Sequence, residues 1–491
     1  MKKLTLFALV FLFFAMSFAG FSGCSKEEDK PVKASDESET SDDIENTTEY
    51  KLEVFDWNQR KVNVMVNEDN WSVWGDMDFV FDEEVQGEPV NDAVWMRNIK
   101  IEEMFNIQLN IVPGARGDHV NLVRRAVLSG DNRYDIAFST PRENYTLFLE
   151  GFLENLFAVT SIDLNADFWD QNAVKDLSIG NKLYMIAGDI GLMPKRSLSA
   201  LMFNKKMIEN YGYESPYNHL ANNTWTIDTF TKMCRDHASN ITTTTEMSII
   251  ERKYSLITFS DMMPLSLLGA GIQFAGKNRD DLPEITFYND RTVSAFGKIT
   301  EVLYDRSICW DWSAEVLGID MLAENKFMAD ESLFYWAELR NIEAIRGMDS
   351  DFGILPVPKY DSNQPDYCHT VNPWVAMMMA IPIRTDDDIL EIGAIANACA
   401  KLGKDLLTPA YYDITLQRKL SRDDESEITI DIILQTMRYD QGYMYNWGNV
   451  GSFTSGMCAT ADINLASAYE KIERGAERDL GRMLETLEAL D

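Results

Sequence analysis

The alternation of hydrophobic periods between Lys61 and Phe138 constrains the fold of this chain more than any other feature. Lys61 to Val66 alternates polar and apolar residues, the period-two pattern of a strand. Val94, Ile101, Met104 and Phe105 then recur at i, i+7, i+10 and i+11, which predicts a helix near Asn91 with one apolar face. Ile107 to Val112 alternates again and stops at Pro113-Gly114. Val120, Val123 and Val127 give a second helical face, ended by Gly130 and Asp131, and Tyr134 to Phe138 reads as a short strand. The order β-α-β-α-β is the start of an α/β layer built on right-handed crossovers.

Beyond Leu177, Gly180-Asn181 makes a turn and Lys182 to Ile186 reads as a strand, as does Leu198 to Phe203. Thr226 is a candidate N-cap in Trp225-Thr226-Ile227-Asp228, and Asp228 suits the positive end of the helix that follows. Residues Ile227 to about Leu339 read as mainly helical, Phe352 to Val357 as a strand ended by Pro358, and Val375 to Ile381 as a buried strand. From Asp387 the pattern is again helical. A body running from about Lys51 to Asp491 is too long for one ordinary core. A chain that leaves one α/β unit and returns to it later makes two lobes joined by several crossings, an arrangement suited to hinge closure.

The first residues have a different character. Lys2 and Lys3 precede the apolar run Leu4 to Phe14, and small residues lead to Phe21-Ser22-Gly23-Cys24. The run is too short to span a bilayer and reads as a secretory signal. Its Ser-Gly-Cys ending resembles the bacterial lipobox, which implies a lipid-modified Cys24 at the new N-terminus and anchoring by acyl chains. Ser25 to Glu49, rich in Ser, Thr, Glu and Asp, reads as a disordered acidic tether. The net charge of −34 disfavours nucleic acid and anionic lipid as partners, and weakly disfavours a strongly anionic ligand unless a local basic pocket overrides the global field. Besides Cys24, the cysteines at 234, 309, 368, 399 and 458 show neither a CxxC pair nor metal-ligand spacing and read as free thiols.

Several short stretches, taken in order, resemble the family-1 extracellular solute-binding proteins of carbohydrate ABC importers. They are Phe105-Asn106-Ile107, Leu128-Ser129-Gly130-Asp131 with Tyr134-Asp135-Ile136, Gly151-Phe152-Leu153-Glu154-Asn155-Leu156, Lys182-Leu183-Tyr184, Phe203-Asn204-Lys205, Trp225-Thr226, and Gly353-Ile354-Leu355-Pro356-Val357-Pro358. No later stretch after about Leu402 adds to the likeness. The resemblance implies a two-lobed periplasmic-binding-protein-like α/β fold of type II, with mixed sheets, flanking helices, a hinge and an interlobe cleft. Residues 1–23 would be the signal peptide and 24–57 the lipidated tether. Lobe one would hold 58–188 and 371–402, and lobe two 189–370 and 403–491. It implies a monomer on the extracellular face of a Gram-positive-type cell membrane, held by its lipid anchor, that delivers a sugar, oligosaccharide or other small solute to permease subunits.

Sugar faces are apolar and rimmed by hydroxyls, so aromatic rings and a few fixed polar groups are the residues to look for. Trp71 and Trp74, with Asn67 and Asp69, follow the first strand in a polar stretch whose counterpart in the family faces the cleft. Thr140 and Arg142 follow the strand ending at Phe138, Asp189 lies at the first crossing, and Trp374 at the second. Trp336 corresponds to a family segment that supplies an aromatic platform, and Trp447 in a Tyr-rich segment is a weaker candidate. Each also has a plain structural alternative: a ring in the core, an exposed charge or a turn aspartate.

No GxSxG elbow, GxxxxGK[ST] loop or HExxH motif is present, and Gly269-Ala270-Gly271 lacks the rest of a dinucleotide fingerprint. The four histidines show no ligand spacing, and neither a cofactor nor a metal is expected. The reading is a binding protein, not an enzyme. The rival is a surface-anchored glycoside hydrolase or other carbohydrate-active enzyme, which needs only two suitably spaced carboxylates; an adhesive surface lipoprotein is a third class.

Overall fold

The computed structural model describes residues 50–68, 78–82, 87–115, 117–241, 247–313, 321–412 and 424–490. Cys24, Asp69, Trp71 and Trp74, and with them residues 1–49 of the signal and tether readings, lie outside the described residues. Near the end of the expected tether, by contrast, Phe55 packs against the Phe105 ring and the Trp57 N–H donates to the Phe105 carbonyl. No helix among the described residues is long and apolar enough to cross a membrane.

The strands, in chain order, are β1 Arg60–Asn67, β2 Ile107–Gly114, β3 Ile136–Ser139, β4 Ser199–Asn204, β5 Tyr254–Thr258, β6 Ala275–Lys277, β7 Pro283–Ile285, β8 Cys309–Asp311, β9 Ser332–Glu338, β10 Phe352–Leu355, β11 His369–Thr370, β12 Met378–Ala380 and β13 Met437–Arg438. The first sheet has the order β12-β3-β1-β2, with β1 parallel to β2 and β3, and β12 antiparallel to β3. The second has the order β10-β4-β9-β5-β8, parallel across β9-β5-β8 and antiparallel across β10-β4-β9. β11 and β13 form a parallel pair, and β6 and β7 an antiparallel one.

The first sheet is the expected β-α-β-α-β unit. Val62, Val64, Met65 and Val66 of β1 are fully buried, as a strand covered on both faces requires. The helix Pro89–Phe105 starts with the Glu88 side chain accepting from the Asn91 N–H at 2.8 Å and ends at Asn106 in the left-handed region. β2 runs two residues further than its alternation indicates and pairs Pro113 with Val66. As the outermost strand of its sheet, β2 needs no N–H from Pro113 on its open side.

Three expectations are corrected. Lys182 to Ile186 is not a strand but a run of isolated bridges, among them Ile186 to Met379. Residues 227–339 are not mainly helical, because β5 to β9 lie within them. Tyr254–Thr258 carries the β-branched and aromatic residues of a strand, but Cys309–Asp311 is too short to show a period. The buried run at Val375 yields only Met378–Ala380 as strand, which rejoins the first sheet beside β3.

The chain passes between the sheets more than once, and two of these passages are bridged to each other at Leu198 and Val371. After β13, the C-terminal helix Leu465–Ala489 buries Leu465, Tyr469, Ala476, Leu480, Met483 and Leu487 at helical spacing. It packs on Gly448, whose φ of +50° and close approach to Ala476 N leave no room for a Cβ. The five cysteines among the described residues are free, and all but the half-buried Cys368 are buried.

Candidate ligand-binding site

In open α/β sheets, ligands bind outside the C-terminal ends of the strands. Here β3, β5, β8 and β9 end at Ser139, Thr258, Asp311 and Glu338, and the residues that follow form one cluster.

On the first sheet, Thr140 turns the chain out of β3 into the helix Pro141–Leu149. Its hydroxyl accepts from the Glu143 N–H at 3.3 Å, while the Glu143 carboxylate accepts from the Thr140 N–H at 3.1 Å and hydroxyl at 2.8 Å. This capping box fixes the first helical turn and commits the Thr140 hydroxyl to structure. Arg142 sits in that turn with its guanidinium 4.0 Å over the Trp374 ring. Its Nε and Nη2 are enclosed and have no hydrogen-bond partner among the described residues. Burial pulls its pKa down, partly offset by nearby Tyr443 and Asp261. Asn67 at the end of β1 is buried, and its side-chain carbonyl has no partner among the described residues.

Trp374 comes from the second passage between the sheets and is 44% exposed. Its N–H donates to Asn372 Oδ1 at 3.0 Å, and Asn372 Nδ2 donates to Glu338 Oε1 at 2.7 Å. Arg340 Nε donates to the other oxygen of Glu338. The loop carrying Trp374 is thereby tied to the end of β9.

On the second sheet, β5 runs into Phe259-Ser260-Asp261 and β8 into Trp312-Ser313. Asp311 joins the two loops: Ser260 Oγ donates to its Oδ2 at 2.8 Å, and Ser313 Oγ to its Oδ1 at 2.7 Å. The Phe259 and Trp312 rings lie 5.6 Å apart, and Trp312 remains 38% exposed. Burial raises the pKa of Asp261, which accepts a hydrogen bond from Ser455 and feels Glu338, Arg142 and Asp311. Tyr443, in the short helix Gln441–Tyr445, completes the group from the C-terminal part of the chain.

The expected site residues therefore separate. Arg142 and Trp374 come together, with Asn67 at a neighbouring strand end. Trp336 is a correction: its ring is buried against Phe230 at 5.5 Å, under the helix Ile227–Asn240, and offers no open face for stacking. Trp447 is also buried, donating from Nε1 to Tyr145 at 3.0 Å. Asp189 is elsewhere, paired with Lys195 and accepting from Thr408 at 2.6 Å. It lines a cavity of about 180 Å³ with Phe168, Trp169, Asp170 and Met437, none of which belongs to the strand-end cluster. The sequence reading missed Asp261, Trp312, Glu338 and Tyr443. The strand signal in Tyr254–Thr258 would have found the first; the others follow segments with no legible period. No group of histidine, cysteine or carboxylate side chains suited to a metal occurs among the described residues.

No family model matches the sequence, and no curated protein matches it. Solved structures do. An ABC substrate-binding protein from Listeria monocytogenes in complex with cycloalternan is similar at 14% identity and a TM-score of 0.53, over 87% of this chain and 99% of that one. A cyclo/maltodextrin-binding protein complexed with maltotetraose is similar at 12% identity and a TM-score of 0.53, over 88% and 97%. UgpB from Mycobacterium tuberculosis, in complex with glycerophosphocholine, is similar at 12% identity and a TM-score of 0.57, over 80% and 96%. Sheet order and these likenesses agree: the chain has the two-lobed, mixed α/β fold of the sugar-binding proteins of ABC transporters.

Proposed function

We propose that this chain is the extracellular solute-binding lipoprotein of an ABC importer, capturing a sugar or oligosaccharide between its lobes and delivering it to a membrane permease. The observation that carries the reading is the Arg142–Trp374 pair at the strand ends: a partly open aromatic face beside unpartnered hydrogen-bond donors. A saccharide has the matching chemistry, with apolar C–H faces for the ring and oxygens for the donors. The cycloalternan and maltotetraose held by two similar structures support the same class. In this reading the lobes keep the boundaries 58–188 with 371–402, and 189–370 with 403–491, and Cys24 carries the lipid. Trp71 and Trp74 remain candidate stacking rings on the first lobe.

Two of the three carboxylates near the cluster favour binding over hydrolysis, while Asp261, whose pKa burial raises, is the one a hydrolase would use. Glu338 is held by Arg340 and Asn372, and Asp311 by Ser260 and Ser313, so neither is free to serve as acid or nucleophile. A thermal-shift screen against a glycan panel tests the reading, since a ligand at a hundred times Kd stabilises by about 2.7 kcal/mol. A saccharide that raises the melting temperature and is recovered intact supports it. Product sugars released in proportion to protein would favour the glycoside hydrolase, and no stabilisation by any saccharide would reject sugar binding.

A further inference from the structure

Arg142 differs from every other enclosed arginine described here. Arg196 donates from Nε and Nη2 to the two oxygens of Glu343 at 3.0 and 2.9 Å. Arg340 is paired with Glu338, and Arg384 with Asp135 and Asp386. Arg97 is surrounded by the carbonyls of Ile190 and Asp78 and the side chain of Asn98. Among the described residues, Arg142 alone of these arginines keeps Nε and Nη2 without partners, and those two nitrogens form the same side-on edge with which Arg196 grips a carboxylate.

The orphan edge is costly unless something occupies it. A buried donor left unpaired costs about 1–3 kcal/mol, and Asp261 and Tyr443 offset only part of the cost of burying the charge. Asp261 is near enough to influence Arg142 but forms no ion pair with it, because Asp261 accepts from Ser455 on the second lobe. A pair of sugar hydroxyls would satisfy the two N–H groups but not the charge. A carboxylate satisfies both, with the geometry the chain already uses at Arg196.

We infer that the ligand is an acidic saccharide, and that a uronate carboxylate docks side-on against Nε and Nη2 of Arg142 while a sugar face packs on Trp374. This rests on the saccharide-binding reading above. Both nitrogens are enclosed in the conformation described, so the ligand enters when the lobes part and the carboxylate fills the edge as they close. The net charge of −34 does not oppose this, because the local guanidinium acts at contact distance while the global field is screened within about 8 Å at physiological salt.

The test is calorimetry on the full chain with oligogalacturonates, oligomannuronates and unsaturated glucuronyl disaccharides, each beside the same sugar with its carboxyl reduced to a primary alcohol. The expected result is binding of an acidic form at least ten-fold tighter than its reduced partner. Arg142→Gln should bring that ratio close to one, and Arg142→Lys, which keeps the charge but loses the fork, should fall between. Without ligand, Arg142→Gln should melt within about 2 °C of the wild type or above it, because no hydrogen bond is lost and relief of the buried charge offsets the lost contact with the Trp374 ring. Reduced sugars binding as well as the acidic ones would overturn the carboxylate and leave saccharide binding intact. Failure of both forms to bind would sink the saccharide reading and this inference together. A clear drop in melting temperature for Arg142→Gln would show that the guanidinium is a structural group and also overturn it.

Discussion

The interior around the hinge and the second sheet differs from the strand-end edge in how it treats the same residue types. In the interior, Arg196 grips Glu343, and Trp336 is buried against Phe230. At the edge, Arg142 keeps an empty fork and Trp374 is nearly half exposed. Depth alone does not separate the two regions, since Nε and Nη2 of Arg142 are enclosed although the residue as a whole is less buried than Arg196. For the two arginines, what separates them is whether the described residues supply the partner; Trp336 Nε1 is itself without one among the described residues. A folded chain that leaves a buried charge unpartnered at the end of a β-strand gives up stability there, and a ligand is the partner that restores it.

The largest expected effect is on Trp336. Trp336→Ala should cost about 4 kcal/mol of stability in urea unfolding, as for other large rings removed from cores. A loss below about 1 kcal/mol would return Trp336 to the list of exposed platforms and blur the comparison. Arg196→Met should cost about 3 kcal/mol, because Glu343 would lose its counter-charge; the partial exposure of the Glu343 side chain keeps the effect at the lower end of that range. If Arg196→Met and Arg142→Gln changed stability equally, the contrast between supplied and withheld partners would fail.

Trp374→Ala reverses the pattern of Trp336. Its stability should change by less than about 1 kcal/mol. Its affinity for the bound saccharide should fall at least ten-fold, about 1.4 kcal/mol. Calorimetry beside melting curves reads both quantities. Affinity within two-fold of the wild type would remove Trp374 from the site.

Much of this contrast was legible before the fold was. The β-α-β-α-β unit follows from periodicity alone, and the position of Thr140 and Arg142 at a strand end was legible because they follow a strand whose end could be read. Trp374 was found at a passage between lobes. Trp336 was misplaced because Leu333-Phe334-Tyr335-Trp336 is apolar on both faces, so no alternation marks the ring that faces a covering helix. Asp261 was missed with the strand before it, and Glu338 because its role depends on Asn372, 34 residues away. Asp189 was expected to face the ligand, but its partners Lys195 and Thr408 are set by tertiary packing that no local pattern encodes.

His237 offers the smallest and sharpest test, because it is also buried with unpartnered polar atoms. Neither ring nitrogen has a hydrogen-bond partner among the described residues, and the Tyr211 ring meets it edge-on at 4.8 Å. Unlike Arg142, a histidine can escape an unpartnered charge by losing its proton. Burial, helped by the positive charge of Lys253, lowers its pKa to about 4. The unfolded chain binds that proton near the usual 6.5, so between pH 6.5 and 4 the unfolded state takes up a proton that the native state refuses. Stability from this group is therefore full above pH 6.5 and lost as the pH falls through that window. At pH 6 the loss relative to pH 8 is about 0.8 kcal/mol. His237→Phe keeps a ring against Tyr211 and cannot titrate, so its stability difference between pH 8 and pH 6 should be smaller than the wild type's by that amount. An unchanged pH dependence would mean that His237 finds a partner in solution. An orphaned group without charge would then no longer serve as the reference against which the charged orphan Arg142 is judged.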